Sequence, residues 1–376
     1  MSQIDTVLLK VASRCNINCD YCYIYHLGDK GWAHMPKSMS PETIDAVISA
    51  LKELAESQGK GFAVVLHGGE PLLLGEDRLT LLLEGLHNNL PEECTLSVQT
   101  NGILLCQSFL KLCLRTKTNI AVSLDGPRHI HDRHRIDHGG QGTFDRTVAG
   151  VRLLQSHPES TTLFSGILTV IDPQTDPAEI YAFFKGLGVP STDFLFRDGN
   201  HSRIPVGKTS FDSLEYGQWM TRLFDLYMAD PNPVRINILD DHTRLILGGH
   251  SGKEGKGTKV YGILIIDTDG TIAKNDTLKS AYDGADRFES KWSVHRDRLA
   301  AVVLTDEFHR YSLLQHPTSE ICRRCQHLSV CGGGMPLYRW RDDNGYDNPS
   351  VYCFDHQLVI NHIRGRLPTL LSCTRQ

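Results

Sequence analysis

Along the first two thirds of the chain, short apolar runs rich in β-branched residues alternate with segments whose apolar positions recur every three or four residues. The runs predict strands at 7–12, 62–67, 95–99, 120–124, 163–170 and 194–196. The periodic segments predict helices between them. The first has Ser40 as its N-cap, Pro41 at the first helical position and Gly59 at its end, with Ile44, Val47, Ile48, Leu51 and Leu54 on one face. Further helices are expected at 77–88, 106–116, 144–157 and 177–187. Strand–helix alternation of this kind builds a parallel sheet, so the expected fold class is α/β, a partial (β/α)6 TIM-type barrel. In parallel barrels chemistry gathers at the C-terminal ends of the strands.

The last third has a different rhythm. A helix is expected at 211–227, with Trp219 and Leu223 as anchors, before Asp230-Pro231-Asn232-Pro233 breaks the chain. A glycine- and lysine-rich loop spans 248–257. Apolar runs at 260–266 and 271–273 then flank Asp267-Thr268-Asp269-Gly270, a hairpin signal. The expected organisation is a barrel over 1–205, a bridging helix and loop over 206–255, and a smaller hairpin-plus-cysteine-rich domain over 256–376.

Composition narrows the class. With 40% apolar and 22% charged residues in 376, an ordinary core is expected. A net charge of −5 offers no electrostatic footprint for nucleic acid. No 18-residue apolar run predicts a membrane span, and residues 1–6 carry no signal-peptide pattern. Eleven cysteines without such a signal point to a reducing cytoplasm and to metal binding rather than disulfides.

The chemistry starts directly after the first strand. Cys15, Cys19 and Cys22 are spaced C-x3-C-x2-C, close enough to share one metal centre. A [4Fe–4S] cluster takes four cysteine ligands, so three leave one iron for a non-protein ligand. A zinc site or buried thiols are the alternative reading. The next strand ends in His67-Gly68-Gly69-Glu70-Pro71, where glycines let backbone approach a ligand and Glu70 can hold an ammonium group. The third strand ends in Gln99-Thr100-Asn101-Gly102, the fourth in Ser123-Leu124-Asp125-Gly126-Pro127. A loop over 128–142 follows, carrying His131-Asp132-Arg133-His134-Arg135, charges that suit a solvated loop. Far downstream stand Cys322, Cys325, Cys331 and Cys353, enough for one fully ligated cluster or a structural zinc, with Gly332-Gly333-Gly334 able to aim amides at sulfur. Cys94, Cys106, Cys113 and Cys373 fit no spacing and read as buried apolar residues or, for Cys373, a free tail thiol; His67 and Leu195 read as packing residues.

Taken together these motifs resemble the radical S-adenosylmethionine (SAM) superfamily, and in particular its peptide-modifying members. The resemblance implies a cluster on Cys15, Cys19 and Cys22 whose open iron chelates SAM. It implies SAM contacts from Tyr21, Gly68, Gly69, Glu70, Pro71, Gln99, Asn101, Ser123, Asp125 and Arg135, the last through a charge-assisted bond to the SAM carboxylate. The C-terminal cysteines resemble a SPASM/twitch-like domain. Its full pattern has seven cysteines and two auxiliary clusters, but Met335 and Asn275 occupy two of the positions here. One auxiliary [4Fe–4S] cluster on Cys322, Cys325, Cys331 and Cys353 is therefore implied. Asp276, next to Asn275, is the implied catalytic base, with a pKa expected to rise on burial. Within the family the HGGEPLL, CGGG and Gly345-to-Ser350 segments look similar to the FxsB/XyeB group, maturases that install a three-residue cyclophane crosslink in ribosomally made (RiPP) precursor peptides. Anaerobic sulfatase-maturase chemistry (serine or cysteine to formylglycine) and thioether formation are the alternatives, and a zinc-stabilised peptide-binding protein the non-enzymatic one. The implied partners are a precursor peptide and reduced flavodoxin or ferredoxin. With Cys15 so near Met1, no leader-binding winged-helix module is expected ahead of the barrel.

Overall fold

The computed structural model describes residues 3–373, with side chains described as far as residue 367. In chain order the elements used below are β1 (Thr6–Ala12), α1 (Pro41–Gln58), β2 (Ala63–Gly68), α2 (Glu76–Asn89), β3 (Thr95–Thr100), α3 (Gln107–Arg115), β4 (Thr118–Ser123), α4 (Arg128–His134), α5 (Phe144–Ser156), β5 (Phe164–Val170), α6 (Pro177–Leu187), β6 (Ser191–Leu195), α7 (Glu215–Ala229), β7 (Arg235–Ile236), α8 (Asn237–Ile246), β8 (Ile263–Ile266), β9 (Ile272–Ala273) and α9 (Cys353–Cys373). This is the α/β alternation of a partial (β/α)6 fold. Two compact units share it: residues to 124, 128–168 and 262–312 form the first, and residues 125–127, 169–261 and those from 313 onward the second.

In the first unit the strands run in the order β5-β4-β3-β2-β1-β8-β9. All neighbours are parallel except the β8–β9 hairpin, so the hairpin adds its first strand alongside β1. The helices hold their positions for local reasons. At the start of α1 the Ser40 hydroxyl accepts from the Thr43 N–H at 3.2 Å, and Gly59 at φ 61° closes the helix by donating to Ala55. Ile44, Val47, Leu51 and Leu54 are buried on its inner face. Ile48, one turn aside, presses its δ-methyl where Gly85 of α2 has no side chain, which accounts for a glycine in mid-helix. Truncating one such buried leucine costs about 2–5 kcal/mol.

Every second residue of β2 and β3 is less buried, so these residues share one face of the sheet. Register sets them level. Lys10 pairs with His67 across β1–β2, Leu9 pairs with Ile266 so that Asp267 follows beside Lys10, and Val98 pairs with Leu66 so that Gln99 follows beside His67. Asp267, Lys10, His67 and Gln99 thus form one polar row at the strand ends. In the second unit β6 pairs with β7 in parallel. Trp219 and Leu223 of α7 are buried as expected. A buried Lys208–Asp355 ion pair at 2.6 Å ties the start of α9 to the segment before α7. No helix among the described residues is long and apolar enough to cross a membrane.

The expected solvated loop after β4 is instead helix α4, with His131, His134 and Arg135 buried. Three of its polar side chains find partners within the first unit: His131 meets Thr143 at 3.0 Å, Asp132 accepts from the Phe144 N–H at 2.9 Å, and His134 meets Asp20 at 2.9 Å. Of the cysteines outside any motif, Cys113 is buried, Cys94 half-buried and Cys106 exposed. The Cys373 side chain lies outside the described residues. Leu195 is 42% exposed rather than packed.

Candidate functional site

The loop bearing Cys15, Cys19 and Cys22 leaves the C-terminal end of β1 and is stitched down by the segment after β4. The Asn18 N–H donates to the Ile136 carbonyl at 2.7 Å and the Asp20 N–H to that of His134 at 3.2 Å. Cys19 is buried; Cys15 and Cys22 are half-buried. Burial pushes the Cys15 thiol up to about 12, and the charges of Glu70, Cys19 and Cys22 push the same way. Three thiols so close together in a partly dry loop would ionise together only around a cation, which the iron of a cluster would supply. Asn101 Nδ2 lies 3.8 Å from Cys15 Sγ and 2.7 Å from Asn16 Oδ1; Arg135 Nη1 lies 3.9 Å from Cys19 Sγ, with its guanidinium 5.5 Å from the centre of the Tyr21 ring.

The glycines after β2 serve first to seat this loop. Gly69 donates its N–H to Ala12 at 2.8 Å and Glu70 donates to Arg14 at 2.9 Å. A Cβ at Gly68, which sits at φ 140°, would run into the Ala12 carbonyl; one at Gly69 would run into Arg14 and the Tyr25 hydroxyl. The close backbone approach therefore occurs within the protein. Glu70 is buried and accepts from Thr100 Oγ1 at 2.6 Å, Asn101 N at 2.8 Å and Leu72 N at 3.2 Å. Burial still wins over these three donors and lifts its carboxyl to about 7. Pro71, also buried, starts the short turn beyond it. Gln99 Nε2 donates to Ser123 Oγ at 2.8 Å, linking the ends of β3 and β4. Asp125 belongs to the second unit, where it accepts from the Val170 N–H at 3.1 Å.

Asp276 follows β9 and is buried. Its Oδ1 lies 3.3 Å from Lys10 Nζ and 2.9 Å from Lys279 Nζ, and Tyr23 donates to Oδ2 at 3.0 Å. Lys10 also reaches Asp267 at 3.6 Å, and Lys279 reaches Asp286 at 3.3 Å. The expected rise in the Asp276 pKa does not occur. Burial favours the acid, but the two ammonium groups outweigh it and hold the carboxyl well below its ordinary range. Asn275 acts structurally, since its Oδ1 accepts from Thr277 N at 2.9 Å and caps the turn that presents Asp276. Sequence reasoning missed Lys10, Lys279 and Tyr23. A lysine inside the apolar run of β1 was the available signal.

In the second unit Cys322, Cys325, Cys331 and Cys353 line one pocket with His327, Gly333 and Gln357. Burial raises Cys322 to about 11 and Cys331 to about 12, and neighbouring thiolates add to both. Two N–H groups already point at sulfur, from His327 to Cys325 at 3.4 Å and from Gln357 to Cys353 at 3.2 Å. Gly332, Gly333 and Gly334 all have positive φ, and a Cβ at Gly333 would lie 2.6 Å from Pro317. Four thiols with N–H donors suit an iron–sulfur cluster. Among the described residues no three His, Cys, Asp or Glu side chains are gathered tightly enough for a single bare metal ion.

Residues 9–183 match the model of the Radical SAM superfamily. The cysteine-type anaerobic sulfatase-maturating enzyme of Clostridium perfringens is 24% identical over 383 residues, covering 98% of this chain and 98% of its own. A solved structure of native anSMEcpe with bound AdoMet and Cp18Cys peptide superposes with a TM-score of 0.81 at 22% identity over 98% of both chains. The structure of Streptococcus suis SuiB bound to precursor peptide SuiA gives 0.65 at 15% identity, over 93% of this chain and 76% of that one. These likenesses show the fold, and the match to the Radical SAM superfamily lies over the barrel that carries the three-cysteine loop.

Proposed function

We propose that this chain is a peptide maturase that oxidises a side chain of its substrate by two electrons. The observation that carries the reading is the meeting, within one unit, of a three-thiol loop and a buried acid–lysine cluster at the ends of adjacent strands β2, β1 and β8. Cys15, Cys19 and Cys22 hold a [4Fe–4S] cluster, and SAM lies beside Glu70, Gln99, Asn101, Ser123 and Arg135. Bound there, cluster and SAM supply a deoxyadenosyl radical able to take a hydrogen atom from unactivated carbon. The protein's own part is to hold one C–H bond in place, exclude water and accept the proton released later. Asp276 is the carboxylate that Lys10 and Lys279 anchor beside those strand ends. Cys322, Cys325, Cys331 and Cys353 hold one auxiliary [4Fe–4S] cluster of SPASM type. Reduced flavodoxin or ferredoxin supplies the priming electron.

Formylglycine formation is the reading that the full-length likeness to sulfatase-maturating enzymes favours. A cyclophane crosslink is the second, favoured by Asn275 and Met335 standing where inner-cluster cysteines would be. The test is anaerobic turnover of the reconstituted protein with dithionite, SAM and either a sulfatase-motif peptide or the precursor encoded beside the gene. A hydrazide-reactive aldehyde on the sulfatase peptide supports formylglycine. A precursor lighter by two hydrogens, with no aldehyde and no fragments within a three-residue ring, supports the crosslink. Deoxyadenosine formed without change in either peptide defeats both.

A further inference from the structure

The polar row at the strand ends contains one group that the proposed oxidation has so far left idle. His67 is half-buried as a residue, but its Nδ1 has no solvent contact and no hydrogen-bond partner. It stands level with Lys10 on the neighbouring strand, and Lys10 reaches Asp276 at 3.3 Å. The charges of Lys10 and Asp276 act on it, and behind them Lys279, Asp267 and Asp286 complete a buried ion cluster, with the Tyr23 hydroxyl on Asp276. Two lysines against three aspartates leave one negative charge in excess when all are ionised. An imidazole with Asp276 near enough to favour its cation, in a cluster whose aspartates outnumber its lysines, is placed to receive a proton. Asp276 is poorly placed to do so, because a carboxylate clamped by two ammonium groups binds a further proton weakly.

We propose that His67 is the proton acceptor of the oxidation, with Asp276 as the positioning anion that stabilises the resulting imidazolium. The assignment rests on the two-electron peptide oxidation proposed above and holds for either product. The substrate first loses a hydrogen atom to the cofactor-derived radical, which becomes deoxyadenosine. For a crosslink the carbon radical then bonds to the aromatic ring; for formylglycine it stays on the side-chain carbon. One electron then leaves to an oxidised iron–sulfur acceptor and one proton to the His67 ring. The substrate is left two hydrogens short, and the proton rests on the imidazole, where the Asp276 charge favours it. A neutral imidazole is base enough, because a carbon radical bearing an acidic hydrogen, once oxidised, is a far stronger acid than imidazolium. Burial holds the His67 ring near 4 and Lys10 opposes its protonation, while the Asp276 charge favours it.

The test uses the full, cluster-loaded protein with side-chain-deuterated peptide, comparing wild type, His67→Gln and His67→Phe. Deuterium should reach deoxyadenosine in all three, while product formed per deoxyadenosine falls about a hundredfold in both variants and a substrate radical accumulates by electron paramagnetic resonance. In protein carrying 15N-labelled histidine, Asp276→Asn should shift the His67 ring titration to lower pH, a readout independent of turnover. Equal coupling in wild type and His67→Gln overturns the assignment of His67 alone. A wild-type protein that moves no deuterium overturns the peptide-oxidation reading and this assignment together. An unshifted ring in Asp276→Asn removes Asp276 as its partner.

Discussion

Lys10 and Asp276 lie 266 positions apart in the sequence and meet inside the first unit at 3.3 Å, both nearly without solvent. The contact exists because β8 pairs in parallel with β1, bringing the hairpin and the turn beyond it to the end of the first strand. A buried ion pair contributes little to stability relative to apolar replacement, yet removing one partner strands the other. Lys10→Met leaves Asp276 to Lys279 and Tyr23 but weakens the pairing of both Asp276 and Asp267, and should destabilise the protein by about 1–3 kcal/mol, read by chemical denaturation at neutral pH. The pH dependence has a definite sign. Asp276 is depressed in the folded state, so its contribution is present above the unfolded value of about 3.9 and is lost only as pH falls through the lower folded value. The wild type should show no loss from this group between pH 8 and 5, and a denaturation profile in which the Lys10→Met deficit vanishes across that range would contradict the pairing.

Glu70 gives the opposite linkage. Burial lifts its carboxyl to about 7, so near neutrality a good part of the population is protonated. An ammonium group bound beside it favours the ionised form. SAM binding should then release a proton between about pH 4.5 and 7, and affinity should fall up to about tenfold per pH unit as pH drops through that window. Calorimetric titration in buffers of different ionisation enthalpy measures the proton directly. A pH-independent affinity would mean that Glu70 does not face the SAM ammonium and serves only to tie together Thr100, Asn101 and Leu72.

Gly69 separates packing from conformation. It needs no left-handed backbone, but a Cβ there has no room between Arg14 and Tyr25. Gly69→Ala must push the cysteine loop away from β2 and break the Gly69–Ala12 and Glu70–Arg14 hydrogen bonds. Overpacking of this kind costs about 1–3 kcal/mol. The variant should lose iron from the Cys15, Cys19 and Cys22 site while keeping the circular dichroism of a folded α/β protein. Retention of full iron and wild-type melting would show that the loop tolerates the displacement.

Much of the fold was legible in the chain. Helix α1 reads directly from Ser40, Pro41, Gly59 and its apolar face, because capping and periodicity act locally. The strand ends carrying Cys15, Glu70, Gln99 and Ser123 follow from the βα rhythm. What escaped is what depends on tertiary pairing. The loop after β4 looked solvated because nothing in its sequence reveals that His134 meets Asp20 and His131 meets Thr143. The Asp276 pKa ran opposite to expectation because Lys10 comes from the far end of the chain. At Gly68 and Gly69 the need for small residues was legible, but not that the cysteine loop of the protein itself also imposes it.

The two cysteine sets make separable demands, and iron counting can divide them. Cys331 sits in the pocket of the second unit with Cys322, Cys325 and Cys353; Cys19 sits in the loop of the first. Two [4Fe–4S] clusters imply about eight irons per chain, and loss of one ligand from a four-cysteine set removes about four. Cys331→Ala should thus halve the iron yet keep reductive SAM cleavage, because the thiols of the β1 loop are untouched. Cys19→Ala should also halve the iron but abolish deoxyadenosine formation. The second unit should also unfold more readily in Cys331→Ala, since thiols raised to about 11 and 12 by burial and mutual charge become ligands only when a metal centre compensates them. Zinc by metal analysis in place of the second four irons would assign the C-terminal pocket to a structural ion and leave the electron without an acceptor in that unit.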